Sequence, residues 1–220
     1  MTAATFAGVF ERLYAAFGPQ YWWPAETDFE VMVGAVLTQN TAWRNVERAL
    51  AALRDDGLLE PKALVALAPE ALGERIRPAG YYNIKAARLR NLAATLVADG
   101  GVEAWRAWST ESLRQRLLGV NGVGEETADS ILLYVYERPV FVIDAYTRRI
   151  FSRIGLVQGN EPYRGLASAF EAALPADPAL YNSYHALIVR LGNQLCRPRT
   201  PLCAQCPLVN DCDYGVAATA

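Results

Sequence analysis

The chain has 220 residues, 52% of them apolar, with a formal net charge of -2 and a pI near 5.6. Such a chain buries a proper core as one domain or two packed lobes. No apolar run reaches the ~18 residues of a membrane span, and the N-terminus has no basic segment leading into an apolar one, so a cytoplasmic protein outside the membrane is expected. The acidic balance speaks weakly against nucleic acid as a partner, although a local basic face is enough to bind it.

Helical periodicity runs through the whole sequence. Residues 3 to 17 space Phe6, Val9, Phe10, Leu13, Tyr14 and Phe17 at three- and four-residue steps, which predicts a one-sided helix. "TDFEVMVGAVLTQNT" follows, with Thr27 or Asp28 as N-cap and an apolar body almost all round, the pattern of a buried helix. "AWRNVERALAALRDDG", "KALVALAPEALGERIRPAG", "IKAARLRNLAATLVADGG" and "TESLRQRLLGV" each read as helical and each stop at Gly or Pro. After residue 150 the helical pattern returns at "RGLASAFEAAL" and "NSYHALIVRLGNQLC", and the tail is too rich in Pro and Cys for a helix. No segment alternates as a strand does. The expectation is an all-α protein of roughly ten helices with a cysteine-bound tail.

Three stretches carry chemistry. "GVNGVGEETADSILLY" reads as helix, tight turn, helix, because Gly122 and Gly124 permit backbone angles that side chains forbid, with Thr127 starting the second helix. Amides of Gly122, Val123 and Gly124 at the positive end of that helix would receive a phosphate oxygen, although a lone GxG is also an ordinary turn between helices. Asp144 follows "PVFVI" at the start of the helical "AYTRRIF", where it serves as an N-cap, as a buried carboxylate, or as both. Cys196, Cys203, Cys206 and Cys212 are the only cysteines, clustered where disulfides would be spread. Four thiolates over seventeen residues suit zinc or an iron-sulfur cluster, and the six-residue spacer makes a loop from which Arg197 and Arg199 project.

Together these stretches resemble the endonuclease III, or helix-hairpin-helix-GPD, superfamily of DNA glycosylases. "LLGVNGVGEETADSIL" followed by "VIDAYTRRI" is similar to its hairpin and its loop with an aspartate, and C-x6-C-x2-C-x5-C is similar to its 4Fe-4S loop. "VLTQNTAWRNVERAL" resembles the segment whose glutamine probes the duplex, and "GYYNIKAARL" the loop that fills the gap left by an extruded base. The resemblance covers residues from about 28 to 212. It implies two helical lobes with the active site in the cleft between them. In chain order these are an N-terminal helix packing with the cluster lobe (1–27), a six-helix barrel with the hairpin at about 113–135 (28–138), a lobe with the catalytic aspartate and a cluster loop at 196–212 (139–212), and a tail (213–220).

The same resemblance implies site residues. Asp144 is the catalytic carboxylate that stabilises positive charge on the sugar. Gln39 and Asn40 probe the duplex, Tyr81 wedges the opposite strand, and Gly122, Val123, Gly124, Thr127, Arg197 and Arg199 meet the DNA. The four cysteines hold a 4Fe-4S cluster of structural role, and a monovalent cation is a further candidate ligand of the hairpin. The substrate is double-stranded DNA with a damaged base, bound by a monomer.

Bifunctional relatives attack the sugar with a lysine of the hairpin's second helix, where this chain carries Glu126. A carboxylate forms no Schiff base. Lys62 and Lys85 are the only lysines among 21 basic residues, and Lys85 matches a position outside nucleophilic catalysis. AP-lyase activity is therefore expected to be weak or absent. Glu126 either faces the base pocket or, like Glu125, serves the helix dipole at the surface. The stretch from Tyr21 to Trp43 most resembles the 3-methyladenine DNA glycosylase III branch, in which residues matching Trp22, Trp23 and Trp43 stack on a cationic alkylated purine. Plain packing is the other role open to one of the Trp22–Trp23 pair. His185, the sole histidine, reads as a packed, hydrogen-bonded residue. The leading expectation is a monofunctional glycosylase for alkylated purines. Behind it stand a glycosylase for oxidised or mismatched pyrimidines with weak lyase activity, and a non-catalytic iron-sulfur protein that binds DNA lesions or structures.

Overall fold

The computed structural model describes residues 4–20, 22–23 and 25–219. Among these residues there are twelve α-helices, four short 3-10 turns and no strand. The helices are α1 (Phe6–Phe17), α2 (Asp28–Leu37), α3 (Trp43–Asp55), α4 (Pro61–Ala66), α5 (Pro69–Arg75), α6 (Tyr82–Ala98), α7 (Thr110–Leu118), α8 (Glu125–Tyr134), α9 (Ala145–Ile154), α10 (Tyr163–Ala173), α11 (Pro178–Gln194) and α12 (Asp213–Thr219). No helix of the described residues is long and apolar enough to cross a membrane. The chain divides into two compact units, one of Trp23–Arg138 and one that joins Met1–Trp22 to Pro139–Ala220.

The continuous unit is organised round α2, whose residues Phe29 to Leu37 are all buried, as its all-round apolar sequence predicts. Thr27 is its N-cap, accepting from Glu30 N–H at 3.1 Å, while the Glu30 carboxylate reaches back past it to accept from Glu26 N–H at 3.1 Å. α3, α6 and α8 pack round it. The expected single helix across residues 62–80 is instead α4, α5 and a 3-10 turn, because Pro69 holds Ala68 extended and restarts the helix as its first residue. α7 and α8 are cross-braced by Arg114, whose Nε lies 2.7 Å from the fully buried Asp129 carboxylate.

The discontinuous unit places α1 against α10 and α11, and α9 against α11 and α12. Its core is aromatic. Phe141 stacks on Phe170 at 4.2 Å, Phe6 meets Phe170 at 4.5 Å, and the Tyr184 hydroxyl donates to Phe6 O at 2.6 Å. The stretch expected to be a tail is the helix α12. It docks because the Arg153 guanidinium lies 4.7 Å over the Tyr214 ring and Gly215 N–H donates to Cys212 Sγ at 3.3 Å.

Candidate active site

Within the continuous unit, the hairpin between α7 and α8 turns at Gly122, whose φ is 99°. A Cβ there would also stand 2.2 Å from Arg88 Cγ, so the position requires glycine twice over. Gly124, the N-cap of α8, offers no side-chain acceptor to the helix's first turn. Val123 corrects the expectation of three open amides: its N–H closes the turn onto Val120 O at 3.0 Å, and its side chain is buried. Thr127, expected at the DNA face, is also buried, and α8 begins two residues before it. Its hydroxyl accepts from Gln39 Nε2 at 3.0 Å. The same Nε2 donates to Gly122 O at 3.1 Å, and Gln39 Oε1 accepts from Arg88. Gln39 is thus docked on the hairpin, a contact across 83 residues that no local pattern announces. The Val120 and Gly122 carbonyls of the hairpin thus both accept hydrogen bonds from within the unit.

Asn40 and Tyr81 are exposed, Tyr81 by 69%, and both have positive φ, 53° and 46°. Glu126 is exposed in the first turn of α8, and Glu125 beside it reaches Arg114 at 3.5 Å. Lys62 is exposed on α4, whereas Lys85 is buried on α6, with Nζ donating to Leu37 O, Thr41 Oγ1 and Ala79 O.

Two of the three expected base-pocket tryptophans meet in this unit. Trp23 and Trp43 make an edge-to-face pair at 5.0 Å, and Trp23 meets Tyr134 at 5.2 Å, a third ring that no local pattern announces. Gly34 lets Trp23 lie on α2, since a Cβ there would stand 2.9 Å from the indole. Trp43 Nε1 donates to Glu47 at 2.9 Å. Trp22 is half-buried and belongs to the other unit.

Asp144, in the discontinuous unit, is the N-cap of α9 and is 8% exposed. Its Oδ1 accepts from Thr147 N–H at 2.7 Å and from the Thr147 hydroxyl at 2.8 Å. Its Oδ2 faces His185 Nε2 at 3.5 Å. Burial pushes the carboxyl up, but His185 and the two Thr147 donors outweigh it and hold the group below the usual carboxylate range. Asp144 is therefore a dry, oriented carboxylate that stays ionised. His185 is packed, as expected, but against the candidate catalytic group, which its place 41 residues downstream did not reveal.

The four cysteines are free of disulfides and line one pocket with Arg153, Leu202 and Tyr214. Two arginines of α9, which no sequence motif singles out, hold the loop above it. Arg149 donates to Cys196 O at 3.0 Å and Gly192 O at 3.1 Å. Arg153 donates to Cys196 Sγ at 3.2 Å, Arg197 O at 2.8 Å and Pro198 O at 2.7 Å, leaving the Arg197 and Arg199 side chains exposed. Burial and the crowding of the other three cysteines push the Cys206 thiol up to about 11, so four thiolates here require a cationic centre. Among the described residues no group of three or more His, Cys, Asp or Glu side chains is set to hold a metal ion. A four-thiolate shell fits the common pocket that all four cysteines line.

The sequence profile of the HhH-GPD superfamily of base excision DNA repair proteins matches residues 33–176. A protein of Methanocaldococcus jannaschii assigned as a DNA repair glycosylase is 46% identical over 93% of this chain and 94% of its own. Endonuclease III of Thermotoga maritima is 32% identical over 86% of this chain and 84% of its own. Among solved structures, the H. pylori 3-methyladenine DNA glycosylase bound to 1,N6-ethenoadenine superposes with a TM-score of 0.77 at 29% identity, covering 87% of this chain and 98% of that one. An endonuclease III from a DNA complex superposes with a TM-score of 0.83 at 20% identity, a likeness of fold. The chain belongs to the HhH-GPD superfamily of base excision DNA repair proteins, and it is a DNA N-glycosylase.

Proposed function

We propose that this glycosylase is monofunctional and releases alkylated purines of the 3-methyladenine type from double-stranded DNA. The observation that carries the substrate class is the Trp23, Trp43 and Tyr134 group, three aromatic rings in one unit, all of them only half-buried. An alkylated purine is cationic and favours aromatic faces, and its glycosidic bond is already weak. The similarity to the H. pylori enzyme, solved with an alkyl-modified adenine, supports the same class.

The absence of lyase chemistry rests on the two lysines. Lys85 is buried with its ammonium fully engaged, Lys62 lies on α4, and α8 carries Glu126 where an amine would be needed. Water is then the nucleophile. Asp144 balances the positive charge that develops on the sugar as the bond to the base breaks, and Thr147 and His185 keep it ionised and aimed. The Gly122 and Gly124 amides, with Arg197 and Arg199, hold phosphates, while Gln39, Asn40 and Tyr81 occupy the gap left by the extruded base. The four cysteines hold a 4Fe-4S cluster, whose chemistry here is to order the 196–212 loop.

The test is release of free base from methylated DNA and from a panel of oxidised and mismatched duplexes, scored with and without alkali. Asp144-dependent release of 3-methyladenine, with strand breaks only after alkali, is the expected result. A covalent adduct trapped by borohydride on abasic DNA overturns the monofunctional reading. The 32% identity to endonuclease III favours a second reading, removal of damaged pyrimidines, and release of an oxidised pyrimidine in preference to 3-methyladenine would establish it.

A further inference from the structure

Three residues with side chains take left-handed backbone in the continuous unit, Asn40 at φ 53°, Tyr81 at φ 46° and Glu137 at φ 51°, and the first two lie in turns joined by one side chain. Such conformations persist only where the surroundings over-determine them, and they concentrate at functional positions. Both residues are exposed, so neither conformation is explained by packing of its own side chain.

One buried cation bridges both turns. Lys85 is 1% exposed, and its Nζ donates to Leu37 O at 2.9 Å, where the first turn begins, and to Thr41 Oγ1 at 2.5 Å, where it ends. Its third bond, 2.8 Å long, reaches Ala79 O, two residues before Tyr81. The Thr41 hydroxyl donates to the same Ala79 oxygen at 2.5 Å, closing the network between the turns. Three N–H groups thus meet three neutral acceptors. Burial, and then the charge of Arg88, bring this lysine down to about 8, so holding it there opposes its own ionisation. An apolar side chain would fill the same space without that cost but would join nothing.

We propose that Lys85 is a positioning residue, whose ammonium clamps the Leu37–Thr41 turn to the Ala79–Tyr81 turn and so presents Gln39 and Tyr81 as a pre-set pair to the gap in the duplex. This rests on the reading that Gln39 and Tyr81 enter that gap. The clamp lies inside the unit and touches no hairpin amide. It therefore acts chiefly on binding to DNA that already contains a gap, and reaches the hairpin only through the Gln39 bonds to Gly122 O and Thr127 Oγ1.

The experiment compares full-length wild type, Lys85→Met, Thr41→Val, Gln39→Ala and Tyr81→Ala on two duplexes, one with a tetrahydrofuran abasic analogue and one undamaged. A 2-aminopurine opposite the analogue reports how far that base is unstacked. Lys85→Met is expected to weaken abasic binding about 10- to 100-fold, the scale of a small misplacement of a positioned group. It should also lower the 2-aminopurine signal and leave undamaged-duplex affinity within about twofold, with Thr41→Val intermediate. Folded Lys85→Met and Thr41→Val proteins that bind the abasic duplex like wild type, while Gln39→Ala or Tyr81→Ala weakens it, overturn the clamp alone. Equal losses on both duplexes make Lys85 merely structural and overturn it as well. Unchanged abasic binding in Gln39→Ala and Tyr81→Ala defeats the gap-filling reading and the clamp with it. Should Lys85→Met not fold, Thr41→Val, which removes only a hydroxyl, decides.

Discussion

At the scale of single residues, the candidate chemistry turns on one carboxylate and what surrounds it. Asp144→Asn keeps an acceptor for Thr147 N–H, so the helix cap survives while the charge is lost. Base release should fall about 10²- to 10³-fold in single-turnover assays with little change in folding. The pH sign follows from a folded-state pKa below the unfolded one. The charge of Asp144 contributes stability above the unfolded value of about 4 and loses it as pH falls through the folded value, so the gap in melting temperature between wild type and Asp144→Asn should close in acid. His185→Leu removes the strongest group opposing the cost of burial, and the acid limb of the pH–rate profile should move to higher pH; an unmoved limb would leave Thr147 as the sole support. Asp144 was legible in the sequence because its N-cap position and its acidic character are both local. Its partner on α11 was not, because only the packing of α9 against α11 brings the two together.

At the scale of elements, the hairpin was readable from its glycines, but its brace and its occupant were not. Gly122→Ala meets two penalties, a left-handed φ and a collision with the Arg88 stem. It should cost about 1 to 3 kcal/mol in stability by denaturant titration and displace Gln39 from its hairpin partners. The buried Arg114–Asp129 pair between α7 and α8 predicts a contrast that a double-mutant cycle can read. Asp129→Leu alone leaves the largely buried Arg114 without its principal counter-charge and should cost about 3 to 5 kcal/mol, whereas adding Arg114→Met should recover most of that. Pro69 could be seen to end one helix and begin the next, yet the single periodic pattern across it masked the break. α12 was hidden by the opposite cause: seven residues carry too little pattern to predict a helix, and it is held by Arg153 and Cys212 rather than by propensity.

At the scale of the whole molecule, the chain leaves one unit after Trp22 and returns to it at Pro139, so α1 completes a core whose other helices lie more than a hundred residues away. The cysteine pocket belongs to that same unit. Cys203→Ser, which removes one thiolate from the proposed cluster shell, should loosen residues 196–212 first, because ligand binding and local folding share one free energy. Limited proteolysis should then cut that loop while the Trp23–Arg138 unit remains resistant; an unaltered cleavage pattern would mean that Arg149 and Arg153 alone hold the loop.

The sequence by itself determined the helical class, the hairpin glycines, the start of α2 at Thr27 or Asp28, the candidate cap at Asp144 and the four-cysteine spacing, since each depends on neighbours within a few residues of chain. Only the tertiary structure decided that Gln39 docks on the hairpin, that His185 faces Asp144, that Tyr134 joins the tryptophans and that Lys85 is buried between two turns. These are contacts between segments distant in sequence. Helix packing creates them by placing polar groups where water is excluded and a hydrogen-bonding partner must be found within the protein.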